Sequence, residues 1–487
     1  SRIEVHAPDL PGVTIGVGQT RYYPLGATAA HITGYVAAVS EDELTGNPLL
    51  ELPDSRIGKN GVEKIYDLAL RGKAGNSQVE VNAFGRVIRE LERKEGQPGD
   101  DLALTLDSGL QRYVAARLAD ESAAAVVLGV HGGDVLALTS SPSYDPNAFN
   151  KGISVADWNA LLKNPLKPLI SKVIAGQYPP GSTFKMIVAL AAMEAGVASA
   201  GHQVTCSGKI KLGNRKFHCW KRGGHGTMNM TNALEQSCDV YFYDIALRTG
   251  INQIAKMARR FGLGAVNDID LYGERPGLIP DRDWKLATLD EPWQKGETLV
   301  AGIGQGFVLA TPLQLAVMVA RLANGNHAVS PRLYHPVRGD GDGVPDFPPL
   351  GVSPAALAVV TEGMNRVVNG RRGTARRARI DESDMAMAGK TGTSQVRRIS
   401  TSERISGVLK NAERPWEQRD HALFVAFAPV DAPRYAVAVV VEHGGSGSRA
   451  AAPVARDILR ETQRRDPLRA AVPATSATAP VATDGDT

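Results

Sequence analysis

Ser182 and Lys185 stand three residues apart in the run Tyr178-Pro-Pro-Gly-Ser-Thr-Phe-Lys185, ahead of a strongly apolar stretch. On a helix that spacing puts both side chains on one face, about one turn apart. A serine hydroxyl is a poor nucleophile until a base takes its proton. A lysine serves as that base when burial or a nearby cation leaves it neutral. The start of the predicted helix, Ser182 to Ala195, adds exposed N–H donors and the positive end of a dipole. An ordinary helix cap followed by a surface lysine would read the same way, although this is the only Ser-x-x-Lys in the chain.

Two further elements follow in order. Ser237-Cys238-Asp239 lies inside the helical pattern of Asn232 to Arg248. It offers a hydroxyl and a carboxylate two residues apart, able to relay a proton and hold a lysine; a polar turn between helices is the alternative. Lys390-Thr391-Gly392-Thr393 follows the β-like run Met385 to Ala388. On an edge strand, its lysine and hydroxyls can bind a peptide carboxylate while the glycine lets a backbone approach closely. A strand ending in a turn is the plainer reading. Each element is ambiguous alone, and coincidence fails to explain all three in this order.

The elements that must position them are legible as patterns. Ala124 to Val130 and Asp134 to Ser140 flank His131-Gly132-Gly133, and His421 to Ala428 and Tyr435 to Glu442 flank Pro429 to Arg434. Both read as hairpins. Helical patterns lie between them, also at Ile251 to Phe261, Pro312 to Leu322 and Pro354 to Val368. Strands at both sequence ends with helices between predict an α+β fold, one antiparallel sheet joined by its termini and flanked by helices. Residues 1–100, with β-like runs at Val13 to Val17 and Gln78 to Val81 and a short helix over Gly61 to Leu70, read as a smaller pedestal domain without a nucleophile. A catalytic domain spans 101–465, and the Pro-, Ala- and Thr-rich 466–487 reads as a disordered tail.

These motifs resemble the penicillin-binding protein and serine β-lactamase superfamily, whose signature is Ser-x-x-Lys, Ser-x-Asn and Lys-Thr-Gly. Arg21-Tyr-Tyr-Pro-Leu-Gly26, His31-Ile-Thr-Gly-Tyr35, Pro142-Ser-Tyr-Asp-Pro-Asn147, Gly302-Ile-Gly-Gln-Gly306 and Ala310-Thr-Pro-Leu-Gln314 are similar to class B penicillin-binding proteins, particularly the subgroup serving Gram-negative cell elongation. Asp239 in place of Asn fits that subgroup. The resemblance implies a peptidoglycan D,D-transpeptidase. Ser182 would attack the penultimate D-Ala carbonyl of a stem peptide and Lys185 would take its proton. Ser237 and Asp239 would carry protons and hold the lysines. Lys390, Thr391, Gly392 and Thr393 would bind the substrate, with an oxyanion hole from the N–H groups of Ser182 and Thr393. β-Lactams would acylate Ser182. A carboxypeptidase or β-lactamase, or a non-catalytic regulator of a glycosyltransferase, are the rival readings. The resemblance also implies a RodA-type glycosyltransferase and MreC as partners, and an inner-membrane anchor outside this sequence with the active site in the periplasm.

All three cysteines, Cys206, Cys219 and Cys238, fall in one window with His225. Three thiolates and an imidazole suit a tetrahedral, structural Zn2+, carried by an insertion at 201–230. A Cys206–Cys219 disulfide, unrelated thiols, or His218 in place of His225 are the alternatives. The net charge of +4 over 487 residues, with no long block of one sign, argues against nucleic acid. The arginine-rich patch Arg371 to Arg379 reads as a solvated loop. The start is polar and no run approaches the roughly 18 apolar residues a bilayer span needs, so neither a signal peptide nor a membrane helix is expected within the sequence.

Overall fold

The computed structural model describes residues 20–44, 46–52, 55–84, 87–150, 152–335, 345–397, 403 and 409–469. The chain divides into two compact units, residues 1–101 with 143–169, and 102–142 with 170–487. The predicted strand at Val13 to Val17 lies outside the described residues.

In the first unit, Val36–Ala38 pairs with Arg56–Gly58, and Asn76–Val81 with Val87–Lys94. Its helical stretch is broken in two, Gly61–Ile65 and Asp67–Arg71. The sequence-order division at residue 100 misses the segment 143–169. Aromatic packing explains why it belongs here: Tyr35 stacks on Phe149 with centroids 4.0 Å apart, and Tyr144 and Trp158 meet Phe149 edge-on. No periodicity along the chain reports such contacts.

The second unit is built on one five-stranded sheet. The sheet and the helices around the site are, in chain order, α1 (Ser108–Arg117), β1 (Ala123–Gly129), β2 (Val135–Ser141), α2 (Lys185–Glu194), α3 (Met230–Glu235), α4 (Asp239–Thr249), α5 (Pro312–Ala323), α6 (Pro354–Asn369), β3 (Ala388–Ser394), β4 (His421–Ala428), β5 (Tyr435–Val441) and α7 (Ala452–Arg465), with shorter elements and the helix Ile251–Arg260 between them. The strand order is β3-β4-β5-β1-β2, antiparallel throughout, with Thr391 opposite Phe424 and Val437 opposite Val127. The two terminal hairpins meet along β5 and β1, as their patterns predicted. Both faces of the sheet are covered. α1 and α7 bury Leu110, Val114, Ile458 and Leu459 against Ala125, Phe424 and Val439, while α5 packs on β5 and β1 from the other side. Strands buried on both faces read as unbroken apolar runs rather than alternating ones.

Three boundaries differ from expectation. The pattern at Asn232 to Arg248 is two helices, α3 and α4, interrupted at Ser237, which takes φ 54°. The apolar spacing carries across the break and hides it. The run Met385 to Ala388 is not the strand before the Lys-Thr-Gly motif; the motif lies within β3, whose glycines and polar residues gave no β signal. The tail begins later than 466: Asp466 accepts a hydrogen bond from Tyr435 (2.5 Å) and pairs with Arg434 (2.6 Å). Residues 470–487 lie outside the described residues. Among the described residues no helix is long and apolar enough to cross a membrane.

Candidate active site

Ser182 sits in a 3-10 turn, Gly181–Phe184, that runs directly into α2, whose first residue is Lys185. The turn is wedged against β3 and the glycine loop. The Gly181 N–H donates to Gly304 O (2.8 Å), and Gly304 holds φ 68° with no room for a side chain: a Cβ there would lie 2.2 Å from Gly181 O. The Gly302 to Gly306 loop is therefore a packing surface under the nucleophile. Gly304→Ala should destabilise the domain by about 3 kcal/mol, through positive-φ strain plus overpacking, read as a lower denaturant midpoint at unchanged m-value.

Lys185 is fully buried. Its Nζ donates to Asp239 Oδ1 (2.6 Å), Ser237 O (2.9 Å) and Ser237 Oγ (3.2 Å). Those bonds use all three donors of an ammonium, and none goes to Ser182. Lys390, equally buried on edge strand β3, donates to the same Ser237 Oγ (2.9 Å) and to Thr391 O (3.3 Å). The Ser237 hydroxyl thus lies between two lysines, presented there by the helix break and its left-handed backbone. Burial, reinforced by the charge of Lys185 and opposed by Asp239, pushes Lys390 well below its ordinary 10.5. One carboxylate faces two buried amines, which favours the neutral form of Lys390.

A cleft of about 420 Å³ opens over these groups, lined by Ser182, Ser237, Asp239, Thr391, Gly392 and Thr393 among others. The structure thus brings together every predicted catalytic and substrate-binding residue, with the two lysines behind the cleft wall. It adds others the motifs did not show. Trp220 lines the cleft; its backbone N–H donates to Asp239 Oδ2 (2.8 Å) and its indole N–H to Ser237 O (3.0 Å). The Thr374 hydroxyl is 3.0 Å from that of Thr391, and Gln305 Nε2 donates to Thr393 O (2.9 Å). Adjacency to Cys219 was the only sequence signal for Trp220; Gln305 stood in the run Gly302-Ile-Gly-Gln-Gly306 without a role of its own, and for Thr374 there was no signal.

Next to this wall, Cys206, Cys219, His225 and Cys238 are all buried, their ligand atoms within 4.8 Å of one another. The excursion holding three of them is two small ribbons, Val204–Cys206 with Gly226–Met228 and Lys209–Leu212 with Arg215–His218. The three thiols are free. His225 Nδ1 is 3.6 Å from Cys206 Sγ and 3.5 Å from Cys219 Sγ. A tetrahedron with zinc–sulfur and zinc–nitrogen bonds of ordinary length has S···N edges of about 3.6 Å, so the donor set fits such an ion. The exposed His218 is not in the cluster. The contact with the Cys238 thiol favours a thiolate on Cys219, pulled down to about 5, and the same contact plus burial pushes Cys238 up.

Residues 123–460 match the family model "Penicillin binding protein transpeptidase domain". The chain belongs to the penicillin-binding proteins. Residues 1–104 match the penicillin-binding protein dimerisation domain, giving the two-domain layout of the class B members, and the relatives are of the penicillin-binding protein 2 kind. The chain is 38% identical over 459 residues to the peptidoglycan D,D-transpeptidase MrdA of Escherichia coli, covering 92% of this chain and 72% of that protein. A crystal structure of Pseudomonas aeruginosa penicillin-binding protein 2 in complex with WCK 5153 is 39% identical, with a TM-score of 0.78 and 91% of each chain covered. A complex of Helicobacter pylori penicillin-binding protein 2 with MreC matches at 30% identity and a TM-score of 0.84, over 95% of this chain and 82% of that one.

Proposed function

We infer that this penicillin-binding protein is a peptidoglycan D,D-transpeptidase that works through an acyl-enzyme on Ser182. The observation that carries the assignment of residues is the shared hydroxyl: Ser237 Oγ within hydrogen-bond distance of both Lys185 and Lys390, on the wall of the cleft that Ser182 lines.

The arrangement prescribes an order of proton moves. With its three donors committed to Asp239 and Ser237, Lys185 has to shed a proton before it can act as a base. Lys390, pushed down by burial, is the amine that rests neutral. A proton passes from Lys185 to Ser237 Oγ as the Ser237 proton passes to Lys390. Lys185 is left neutral one residue turn from Ser182 and takes the serine proton as Oγ attacks the penultimate D-Ala carbonyl. The N–H groups of Ser182 and Thr393 receive the oxyanion, where a preorganised donor contributes about 3 kcal/mol. The C–N bond breaks, and the leaving D-Ala amine recovers the proton from Lys185. Thr391 and Thr393 hold the terminal carboxylate. An acceptor strand's amine then attacks the ester and Ser182 regains its proton; water in place of the amine gives the carboxypeptidase outcome. A β-lactam stops at the first stage because its leaving group stays tethered.

Two measurements check this reading. After penicillin exposure, tryptic mapping should place one covalent adduct on the peptide containing Ser182; an unmodified protein would sink the assignment. The rate of that acylation should rise with pH and level off well below 10.5. At low pH Lys390 is charged and cannot receive the relayed proton; once it has lost its proton the relay can run. A rate independent of pH would remove the lysines from the proton path.

We further propose a structural zinc on Cys206, Cys219, His225 and Cys238, supported by the edge lengths above. Through Trp220 it would fix the wall carrying Asp239. By analogy with the MreC complex of a relative, a MreC-type scaffold is a proposed partner; a RodA-type glycosyltransferase is proposed from the family resemblance, with the active site on the periplasmic side of a bacterial inner membrane. One matching structure is described as coordinating polymerization and crosslinking within a peptidoglycan synthase complex.

A further inference from the structure

We propose that Gln305 gates the substrate-binding edge of β3; this rests on the transpeptidase reading. Its carboxamide holds the place of a substrate backbone amide until a ligand with an N–H at that point displaces it. Among the described residues β3 is an edge strand, paired on one side only, with β4. Along an antiparallel pair, residues alternate between turning both their N–H and their C=O to the partner strand and turning both away. Thr393 O accepts from Gln305 Nε2 (2.9 Å) and Thr391 O from Lys390 Nζ (3.3 Å). Thr391 and Thr393 are therefore the residues that turn away from β4, and both line the catalytic cleft.

That alternation fixes what a substrate must do there. Its penultimate D-Ala carbonyl takes the Thr393 N–H as one half of the oxyanion hole. In an extended residue the N–H and C=O point the same way, so the N–H of that D-Ala faces Thr393 O. The two residues then exchange both hydrogen bonds, as opposite residues of an antiparallel pair do, and the peptide adds to β3 as a further strand. In the resting protein that carbonyl is already taken. The Gln305 carboxamide covers it with an N–H, while its oxygen lies 3.4 Å from the backbone nitrogen of Gln395. A carboxamide has the donor and acceptor of a peptide group. Here it caps a strand edge that would otherwise present an unpaired carbonyl.

The side chain stands on a fixed base and has somewhere to go. Gly304 and Gly306 flank it at φ 68° and 77°, and the Gln305 N–H donates to Val300 O (3.1 Å). Release therefore turns side-chain torsions and leaves the backbone in place. Gln305 is also on the wall of a second cavity, of about 660 Å³, which shares Trp220, Asp239, Ile303 and Gln395 with the catalytic cleft. The displaced carboxamide swings into it. A ligand that supplies the N–H must first break the contact between Gln305 and Thr393. A ligand without it leaves Gln305 where it is and meets no gate.

The test uses benzylpenicillin, whose acylamino N–H sits on the carbon next to the reacting carbonyl as the D-Ala N–H does, and penicillanic acid, the same bicycle without that group. The second-order rate of Ser182 acylation is measured for both on the full chain. The ratio of the two rates, amide-bearing over amide-free, should be about fivefold higher in Q305A and in Q305M than in the wild type, the net worth of one neutral hydrogen bond. Q305M keeps the length of the side chain without its amide, so it separates the hydrogen bond from the space that is filled. The intrinsic reactivities of the two rings cancel when the ratio is compared across variants, and thermal melts show that each variant is folded. An unchanged ratio would leave Gln305 as a support for the end of β3. A lower one would have it seat the amide, and a rise in Q305A alone would trace the effect to space. Each of these overturns the gate alone. No acylation of the wild type by benzylpenicillin overturns the transpeptidase reading with it.

Discussion

Replacing Lys185 by methionine should slow acylation of Ser182 by about 10⁴-fold while leaving a protein that still carries its nucleophile, because loss of a positioned base removes up to that factor. Methionine keeps the length and volume of the lysine stem, so the fully buried site stays filled. What disappears is the ammonium between Asp239 and Ser237. The mechanism makes a sharper claim than rate loss. In K185M the remaining amine, Lys390, still reaches Ser237 but not through Lys185 to Ser182, so raising the pH should restore little of the lost rate. A variant that recovers most of its activity at high pH would show Lys390 acting as the base by itself. The substitution also strips Asp239 of its cation in a nearly buried setting. Breaking such a pair costs about 3–5 kcal/mol. The acylation rate must therefore be measured below the variant's own unfolding transition, with K185M/D239N as a control in which the orphaned charge is gone. If the double variant regains stability but not rate, the two roles of Lys185 are separated.

The residues proposed as catalytic stood out because each combines a rare local spacing with a chemical need, and because three such elements occur in order. The hairpins were legible because strands covered on both faces must be apolar without interruption, as Ala123–Gly129 and Tyr435–Val441 are. The break at Ser237 was not. Leu234 and Tyr241 are both buried, and their seven-residue spacing suits one helix as well as two. Only the backbone shows that the chain stops, takes a positive φ, and restarts with Asp239 in the first turn of α4. That break is what places Ser237 Oγ between the two lysines. The strand holding Lys390 was displaced by a few residues for a related reason. Gly389, Lys390 and Gly392 are what the chemistry requires there, and they are poor β-formers. Arg376 and Arg377 are exposed, as the solvated reading of Arg371 to Arg379 expected, but the order of the turn beneath them was not legible. A short run of arginines signals solvation and does not show that Ala375 and Ala378 beneath it are buried.

Zinc content supplies the other large effect. Purified protein should hold about one zinc per chain by elemental analysis, and Cys206→Ser should hold almost none after dialysis against a chelator. Binding at a structural site of this kind is worth about 10–16 kcal/mol in small folded units at neutral pH, added to the hydrogen bonds that Trp220 and Tyr243 make between the excursion and α4. The excursion's two ribbons of three and four residues are too short to be stable alone. The consequence should travel. Cys219 precedes Trp220, whose N–H groups hold Asp239 and Ser237, and Cys238 lies between those two residues in sequence. Loosening the cluster therefore frees the carboxylate that orients Lys185. Cys206→Ser should lower acylation of Ser182 even though Cys206 is absent from the cleft lining, and Trp220→Ala should lower it while zinc stays bound. That contrast separates a metal acting through the wall from a metal needed only to keep the excursion folded. Native protein without zinc, its three thiols all reacting with an alkylating reagent, would leave the cluster as a set of buried cysteines, and the catalytic wall would then depend on Trp220 and the helix break alone.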